Sequence, residues 1–291
     1  MAGRVVCQGV IVPMLTPFDK RGAVDVEAAR KMALRLAEAG TYAFVLGTMG
    51  EAFSIPLRQR EKLVRAVLDE LGGQRIVYAG IPSNCIEEQI AMGNKYIALG
   101  ISAVVVHLPC YYKLTEREML YHLGLVADGI DGPILLYNIP QMVGQSLPLR
   151  MIDELSHRDN IIGIKDTEED DVRVQKEMSL WCRRDDFAFL IGHTPFAISG
   201  LGVGADGWVP AVGNIVPRLC CELYDAARAG RRDVVERVYR KISEVRAVCR
   251  TIAEYKYAAS VLGLCSGAVL PPLIGIDEEH KKRIDKLIID E

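Results

Sequence analysis

Short apolar runs alternate along the chain with longer segments in which apolar residues recur every three or four positions. The runs lack the in-and-out alternation of a half-exposed strand, which is typical of parallel strands buried on both faces. Helical segments between such runs indicate βαβ units. The eight runs begin near Val10, Tyr42, Arg75, Ala103, Pro133, Ile161, Phe187 and Asp206. Eight units in series predict an α/β fold closed as a (β/α)₈ TIM barrel, and they disfavour the alternative, a doubly wound open sheet.

Capping residues mark where the predicted helices begin and end. Asp25 is suited to cap a helix, and Gly40 is suited to end it in a left-handed conformation. The same joint, a glycine that leads into an apolar strand, recurs at Gly100 and Gly204. The repeated joint supports a series of similar units.

The barrel is predicted to span residues 1–215. Residues 216–291 carry no strand signal and are predicted to form a C-terminal helical extension packed on the barrel. No linker, low-complexity tract or change of composition divides the chain. A single structural unit is therefore expected.

Composition and charge limit which classes of partner and which cellular compartment are expected for this protein. Half of the 291 residues are hydrophobic, a quarter are charged and the net charge is −3, so neither nucleic acid nor an anionic membrane is an expected partner. The eight cysteines include no C-x-x-C pair, which favours a reducing compartment. No apolar stretch reaches the roughly 18–20 residues that cross a bilayer. A cytoplasmic protein is expected.

One lysine occupies a position suited to catalysis. The active site of an α/β barrel lies at the carboxyl ends of the strands, and Lys165 directly follows the apolar run Ile161–Ile164. Burial disfavours the ammonium form of a lysine, and a neutral amine can attack a carbonyl carbon to form a Schiff base. Position alone leaves open a structural lysine paired with a carboxylate, such as Glu51 or Asp166.

Two neighbouring strand ends offer supporting groups. Tyr137 ends the preceding strand, and its hydroxyl could transfer protons to and from an imine; a tyrosine that only fills the barrel is the alternative. The loop Gly47–Gly50 could expose the N–H groups of Thr48, Met49 and Gly50 as a small nest for a carboxylate. A plain tight turn is the alternative for that loop.

Signals for other chemistries are weak. No two histidines lie at i, i+4 or in H-x-H spacing, and no cluster of Asp and Glu is expected beyond the strands, so a metal-dependent aldolase is not favoured. Gly202-Val203-Gly204 is predicted to end a helix instead of opening one, which disfavours a dinucleotide site. Neither a metal nor a cofactor is therefore expected.

Four motifs in order along the chain resemble those of the N-acetylneuraminate lyase and dihydrodipicolinate synthase family. The segment 47–51 (GTMGE) resembles the family's G-[ST]-T-G-E loop, and 137–140 (YNIP) resembles its Y-N-x-P motif. The segment 163–167 (GIKDT) resembles its Schiff-base strand, and 109–112 (PCYY) is similar to its P-x-Y-Y segment. The opening segment 9–17 is also typical of the family.

The resemblance implies a pyruvate-dependent class I aldolase without a cofactor, on a barrel with three C-terminal helices, usually a homotetramer built as a dimer of dimers. Lys165 would form the imine with pyruvate or another 2-oxo acid, and Tyr137 would donate and accept protons. Thr48 would hydrogen-bond Tyr137, and Tyr111 would enter the relay of a neighbouring subunit. The backbone at Thr48 and Met49 would hold the carboxylate, and Val209 would line the pyruvate site.

Departures from the family pattern concern the second substrate. Met142 stands where the synthases carry an arginine that binds a carboxylate, and Thr194-Pro195 stands where the neuraminate lyases carry the Asp-Glu pair that holds sugar hydroxyls. Met49 replaces a hydroxyl residue of the loop. The pocket is therefore expected to be less polar than in either enzyme, and the remaining predicted substrate contacts are Gly50, Gln141, Thr167, Gly192 and His193.

The predicted function is reversible cleavage of a 2-oxo-3-deoxy sugar acid, or a similar 4-hydroxy-2-oxo acid, to pyruvate and an aldehyde. The first alternative is 4-hydroxy-tetrahydrodipicolinate synthase, against which Met142 counts. A dehydratase or deaminase that uses the same imine is a second alternative. A non-catalytic binder of 2-oxo acids is a third, and it would have no need of a strand-end lysine beside a tyrosine.

Overall fold

Eight parallel strands close a barrel in sequence order. The structure is a computed structural model that describes residues 7–73, 75–182 and 184–289. The last strand pairs with the first, with Gly9 opposite Gly207, so the predicted (β/α)₈ barrel is confirmed. The strands are β1 (Gly9–Pro13), β2 (Tyr42–Val45), β3 (Val77–Gly80), β4 (Ala103–His107), β5 (Ile134–Asn138), β6 (Ile161–Asp166), β7 (Ala188–Ile191) and β8 (Gly207–Trp208).

Helices alternate with the strands and continue beyond the last one. They are α1 (Val26–Glu38), α2 (Leu57–Glu70), α3 (Ile86–Leu99), α4 (Glu116–Gly129), α5 (Pro140–Val143), α6 (Leu149–Leu155), α7 (Asp171–Trp181), α8 (Ala197–Val203), α9 (Pro217–Arg228), α10 (Arg232–Val248), α11 (Ile252–Val261) and α12 (Glu278–Ile289). Short 3₁₀ turns cover Ala52–Ser54, Thr194–Phe196 and Ala211–Asn214. Across the described ranges, no helix combines the length and the apolar character needed to span a bilayer.

The predicted caps are present. The Asp25 side chain accepts a hydrogen bond of 3.1 Å from the Ala28 backbone N–H and so caps α1. Gly40, Gly100 and Gly204 have φ angles of 84°, 106° and 116°, a left-handed conformation that glycine adopts without a Cβ clash. The local signals in the sequence therefore placed these helix-to-strand joints correctly.

The C-terminal helices are tied to the barrel by polar contacts as well as packing. On α9, the Tyr224 hydroxyl donates to the Asp206 carbonyl at 2.8 Å and accepts from the Gly9 N–H at 3.2 Å. Helices α10, α11 and α12 follow, as the resemblance implied. The division of the chain at residue 215 stays a prediction.

A buried ion pair joins the loop after β2 to α11. Lys256 Nζ lies 2.9 Å from Glu51 Oε1, and both side chains are almost fully excluded from solvent. Lys256 also donates to the carbonyls of Thr16 and, at 2.9 Å, Ala268. The other oxygen of Glu51 accepts from the Leu270 N–H at 2.7 Å. The pair therefore connects three distant parts of the chain over the carboxyl end of the barrel.

We expect this pair to be strongly coupled in stability. Glu51→Gln and Lys256→Met should each lower the free energy of unfolding by about 3–5 kcal/mol, because each leaves a buried charge without its partner. The double variant should lose less than the sum of the two losses. Urea denaturation measures all three values.

The control is the exposed Arg237–Glu222 pair on the surface. Glu222→Gln should cost no more than about 1 kcal/mol, as is usual for solvent-exposed pairs. Additive losses at Glu51 and Lys256, or losses as small as this control, would contradict the coupling.

Candidate active site

Lys165 is buried at the carboxyl end of β6 and faces aromatic rings. Its side chain is among the buried polar groups, with 4% of the residue exposed. The register of β5 and β6 sets Tyr137 directly opposite Lys165. The Nζ atom lies 3.8 Å from the centroid of the Tyr137 ring and 5.3 Å from that of the Phe44 ring. The two predicted catalytic side chains are therefore in contact.

The alternative of a structural ion pair for Lys165 is wrong. Glu51 is taken by Lys256 at 2.9 Å, and Asp166 is contacted by Arg173 at 3.3 Å. No described carboxylate lies within ion-pair distance of the Lys165 amine, and the amine forms no hydrogen bond to a described residue. What holds it in place is the packing of its stem and the faces of the two rings.

A cavity of about 340 Å³ opens at the barrel mouth. That volume is near the lower end of the roughly 300–1,000 Å³ usual for small-molecule sites. The lining of the cavity includes Phe44 and Tyr137, whose rings contact the Lys165 amine, but not Lys165 itself. Three of the predicted site residues line it: Thr48, Tyr137 and Met142. The sequence did not indicate the others, which include Phe53, His107, Val143, Ile252, Pro272 and Leu273.

The loop after β2 approaches β3 closely enough to require a glycine there. A Cβ on Gly80 would lie 2.1 Å from the Leu46 carbonyl oxygen. The N–H groups of Thr48 and Met49 form no hydrogen bond with a described residue, whereas Gly50 N–H donates to the Gly47 carbonyl at 3.1 Å. The nest predicted from three N–H groups therefore has two free donors, because the turn itself uses the third.

The expected hydrogen bond between Thr48 and Tyr137 is not formed. Both side chains line the cavity, and neither hydroxyl is bonded to a described residue. The Tyr137 ring instead packs edge-on against Phe44, with the ring centroids 6.5 Å apart. Both hydroxyls are therefore left for a molecule in the cavity.

Tyr111 points away from the cavity of its own chain. It is 90% exposed, has a φ of 91° and packs edge-on against Tyr112 at 5.1 Å between centroids. A positive φ is strained for a residue with a Cβ. Its role in the relay of a neighbouring subunit stays a prediction.

The other predicted substrate contacts do not line this cavity. The Thr167 hydroxyl donates to the Asn138 carbonyl at 2.7 Å, and Gln141 Nε2 donates to the Thr167 carbonyl at 2.9 Å. Val209 packs in the core cluster that contains Tyr137. Binding roles for these three, and for Gly192, His193 and Thr194 beside β7, stay predictions.

Comparisons with known proteins agree with the arrangement of the barrel. A family model described as the dihydrodipicolinate synthetase family matches residues 6–290. The chain belongs to that family. Members of the dihydrodipicolinate synthetase family are pyruvate-dependent class I lyases, which use a lysine Schiff base and need no cofactor. The predicted enzyme class is thereby confirmed.

Curated relatives and solved structures cover nearly the whole chain. An uncharacterized DapA-like lyase of Halobacterium salinarum is 30% identical over 97% of this chain and 93% of its own. The 4-hydroxy-tetrahydrodipicolinate synthase of Methanospirillum hungatei is 29% identical over 97% and 98%. The structure of YagE from Escherichia coli K12 in complex with pyruvate is similar at a TM-score of 0.92, with 26% identity over 98% of this chain and 99% of that one.

An acidic cluster lies beside the family's catalytic strand, contrary to the expectation of none. Arg173 contacts three carboxyl groups: those of Asp166 at 3.3 Å, Glu168 at 3.5 Å and Glu177 at 2.8 Å. Asn138 Nδ2 also donates to Asp166 at 2.9 Å. Among the described residues, no group of three or more His, Cys, Asp or Glu side chains is arranged to hold a metal ion.

Glu177 is the carboxyl group of this cluster whose pKa is raised. Burial and the neighbouring charge of Asp166 raise the pKa of Glu177, and the single guanidinium of Arg173 offsets this only in part. One positive group faces three carboxyl groups, of which those of Asp166 and Glu177 are buried. The cluster therefore holds Asp166, the residue after Lys165, in a network in which several carboxyl groups share one guanidinium.

We expect the stability of the protein to depend on pH through Glu177. A carboxyl group whose pKa is higher in the folded than in the unfolded protein makes its full contribution to the free energy of unfolding at pH values below its ordinary pKa. That contribution is lost as the pH rises towards the raised pKa. The stability of Glu177→Gln relative to the native protein should therefore rise between about pH 5 and about pH 8, by on the order of 4 kcal/mol. Urea denaturation at the two pH values tests this. A difference independent of pH would show that Glu177 is ionised in the folded protein.

Proposed function

We propose that this chain is a Schiff-base aldolase in which Lys165 reversibly joins pyruvate to an uncharged aldehyde, giving a 4-hydroxy-2-oxo acid. One observation carries the proposal: a buried amine without a carboxylate partner lies 3.8 Å from the centroid of the Tyr137 ring, and Tyr137 lines the cavity. The pyruvate complex of the similar protein YagE supports pyruvate as the first substrate. The predicted 2-oxo-3-deoxy sugar acids belong to this product class.

The residues at the floor of the cavity suit each step of this reaction. The Lys165 amine adds to the C2 carbonyl of pyruvate, and loss of water gives the imine. A proton leaves C3 to form the enamine, whose C3 attacks the aldehyde carbon while the aldehyde oxygen gains a proton. Tyr137 is the group placed to transfer these protons. Water then hydrolyses the imine and releases the hydroxy-oxo acid.

The loop after β2 is assigned to the pyruvate carboxylate. The free N–H groups of Thr48 and Met49 offer two donors of fixed direction beside the cavity. Backbone N–H groups in such a turn favour a small anion without a charged side chain. Lys165 and this loop together would bind both ends of pyruvate.

4-Hydroxy-tetrahydrodipicolinate synthase is the second candidate because relatives at 26–29% identity carry that name. Its second substrate bears a charged carboxylate, for which an arginine supplies a strong paired contact. Met142 stands at the corresponding place, lines the cavity and is 63% exposed. The neutral wall therefore supports an uncharged aldehyde instead.

We also propose that the active assembly is an oligomer, as the homotetramer of the resembling family implies. The exposed and strained Tyr111 supports this, since the residue is 90% exposed and, among the described residues, Tyr112 is the only aromatic ring that its ring contacts. Contact with a neighbouring subunit would account for its conformation.

The covalent step predicts where pyruvate attaches. Borohydride reduction in the presence of pyruvate should add one reduced pyruvate to Lys165, as peptide mass mapping would show. Lys256 is the internal control, because it is equally buried but paired with Glu51, and it should remain unlabelled. Lys165→Met should abolish labelling. Labelling at another lysine, or none, would refute the mechanism.

Proton transfer by Tyr137 predicts a loss of turnover without a loss of fold. Tyr137→Phe should lower kcat by roughly 10²–10⁴, the usual contribution of a general acid–base group. Tyr78→Phe is the matched control, since Tyr78 is a buried tyrosine of the same core cluster that does not line the cavity. Steady-state kinetics with circular dichroism compares the two. Equal losses of kcat in the two variants would show that Tyr137 only packs in the barrel.

A further inference from the structure

The upper wall of the active-site cavity is apolar, although its floor is polar. Above Tyr137 it is lined by Phe53, Val143, Ile252, Pro272 and Leu273, together with Met142. These side chains come from the loops after β2 and β5 and from the C-terminal region. A second substrate that reaches the enamine must therefore contact apolar side chains on several sides.

Charge is nearly absent from this wall. Among the described residues, the only ionised side chain that lines the cavity is Glu51. Its two carboxylate oxygens are already engaged by Lys256 and by the Leu270 N–H. No arginine or lysine lines the cavity to receive a carboxylate among the described residues, and the hydroxyl side chains that line it are those of Thr48, Ser54 and Tyr137. A charged aldehyde would lose its hydration there without an oppositely charged partner, and a polyol would find few hydroxyls to replace its water.

Phe53 presents a largely exposed aromatic ring at the mouth of the cavity. It is 54% exposed, and its ring lies 5.4 Å from that of His107 at an interplanar angle of 43°. Large apolar groups exposed beside a concave site mark ligand contacts. A flat ring that entered the cavity would cover Phe53 and gain aromatic contact.

His107 places a hydrogen-bond acceptor in this wall beside the Phe53 ring. Its Nδ1 lies 2.7 Å from the Leu108 carbonyl oxygen, which only accepts, so Nδ1 carries the proton. Burial lowers the pKa of His107, which keeps the ring neutral. Nε2 is then an acceptor, and no described residue donates to it. The site therefore offers an acceptor for a hydroxyl beside Phe53. The other polar side chains of the loop after β2 that line the cavity are those of Thr48, Glu51 and Ser54.

From these contacts we infer that the aldehyde partner is aromatic and carries one hydroxyl group, with the ring against Phe53 and the hydroxyl donating to His107 Nε2. This inference rests on the proposed aldolase function and names its second substrate. The enamine C3 forms the new bond to the aldehyde carbon, whose oxygen becomes the C4 hydroxyl. The product is a 4-aryl-4-hydroxy-2-oxo acid, and the reverse reaction returns pyruvate and the aryl aldehyde.

The test is a panel of aldehydes assayed with pyruvate and the full-length protein. The panel contains benzaldehyde, its three monohydroxylated isomers, glyceraldehyde and aspartate semialdehyde. At least one hydroxybenzaldehyde should give the highest kcat/KM, about tenfold above benzaldehyde, the value of a neutral hydrogen bond in an apolar site. Glyceraldehyde or aspartate semialdehyde as the best partner would overturn the inference.

Two substitutions separate the ring contact from the hydroxyl contact. His107→Phe should remove the preference for the hydroxylated ring over benzaldehyde, and His107→Gln, which keeps an acceptor, should restore part of it. Phe53→Ala should lower kcat/KM for the aryl aldehydes about tenfold more than for glyceraldehyde. Leu180→Ala, at an exposed leucine of α7 outside the cavity, is the control. Equal losses for all aldehydes would assign Phe53 and His107 to folding and overturn the inference.

Borohydride trapping of pyruvate distinguishes the two levels of failure. If pyruvate is trapped at Lys165 but aryl aldehydes are not preferred, the inference is wrong and the aldolase proposal stands. If pyruvate is not trapped at all, the aldolase proposal is wrong and the inference falls with it.

Discussion

The buried ion pair between Glu51 and Lys256 is the contact on which the rest of the site depends. It joins the loop after β2 to α11, and through the Thr16 and Ala268 carbonyls it reaches the segment after β1 and the segment between α11 and α12. Removal of one partner from a buried ion pair is strongly destabilising, so these segments hold one another in place. The nest at Thr48 and Met49 and the roof of the cavity are both consequences of that arrangement.

The same pair explains why two buried lysines differ in chemistry. Lys256 and Lys165 are both excluded from solvent and both lie over an aromatic ring, at 4.0 Å from Phe18 and 3.8 Å from Tyr137. The aromatic contact therefore does not distinguish them. The difference is the carboxylate: Lys256 has Glu51, whereas the acid beside Lys165 in sequence, Asp166, faces Arg173. Lys165 is left as the amine without a counter-ion.

The buried end of the cavity and its mouth differ, and each suits a different half of an aldol reaction. Thr48 and Tyr137 line the cavity; the former belongs to the loop after β2 with its free N–H groups and the latter lies beside the Lys165 amine, and these groups suit a keto acid. The mouth holds Phe53, Val143 and Leu273, which match a carbon skeleton. Because a site with few buried polar groups leaves little unpaired by a wrong ligand, such a mouth discriminates between ligands chiefly by shape.

The sequence by itself determined the barrel, the order of its strands and the position of Lys165. The reason is that buried strands, helix caps and the glycines between helix and strand each depend on residues that are close together along the chain. The sequence also placed Tyr137 beside Lys165, since neighbouring strands end at the same height. It did not determine that Glu51 pairs with Lys256, 205 positions away, or that Pro272 and Leu273 cover the cavity. Those contacts exist only once the barrel has closed and the C-terminal helices have folded back over it, because no local periodicity records which distant side chains will meet.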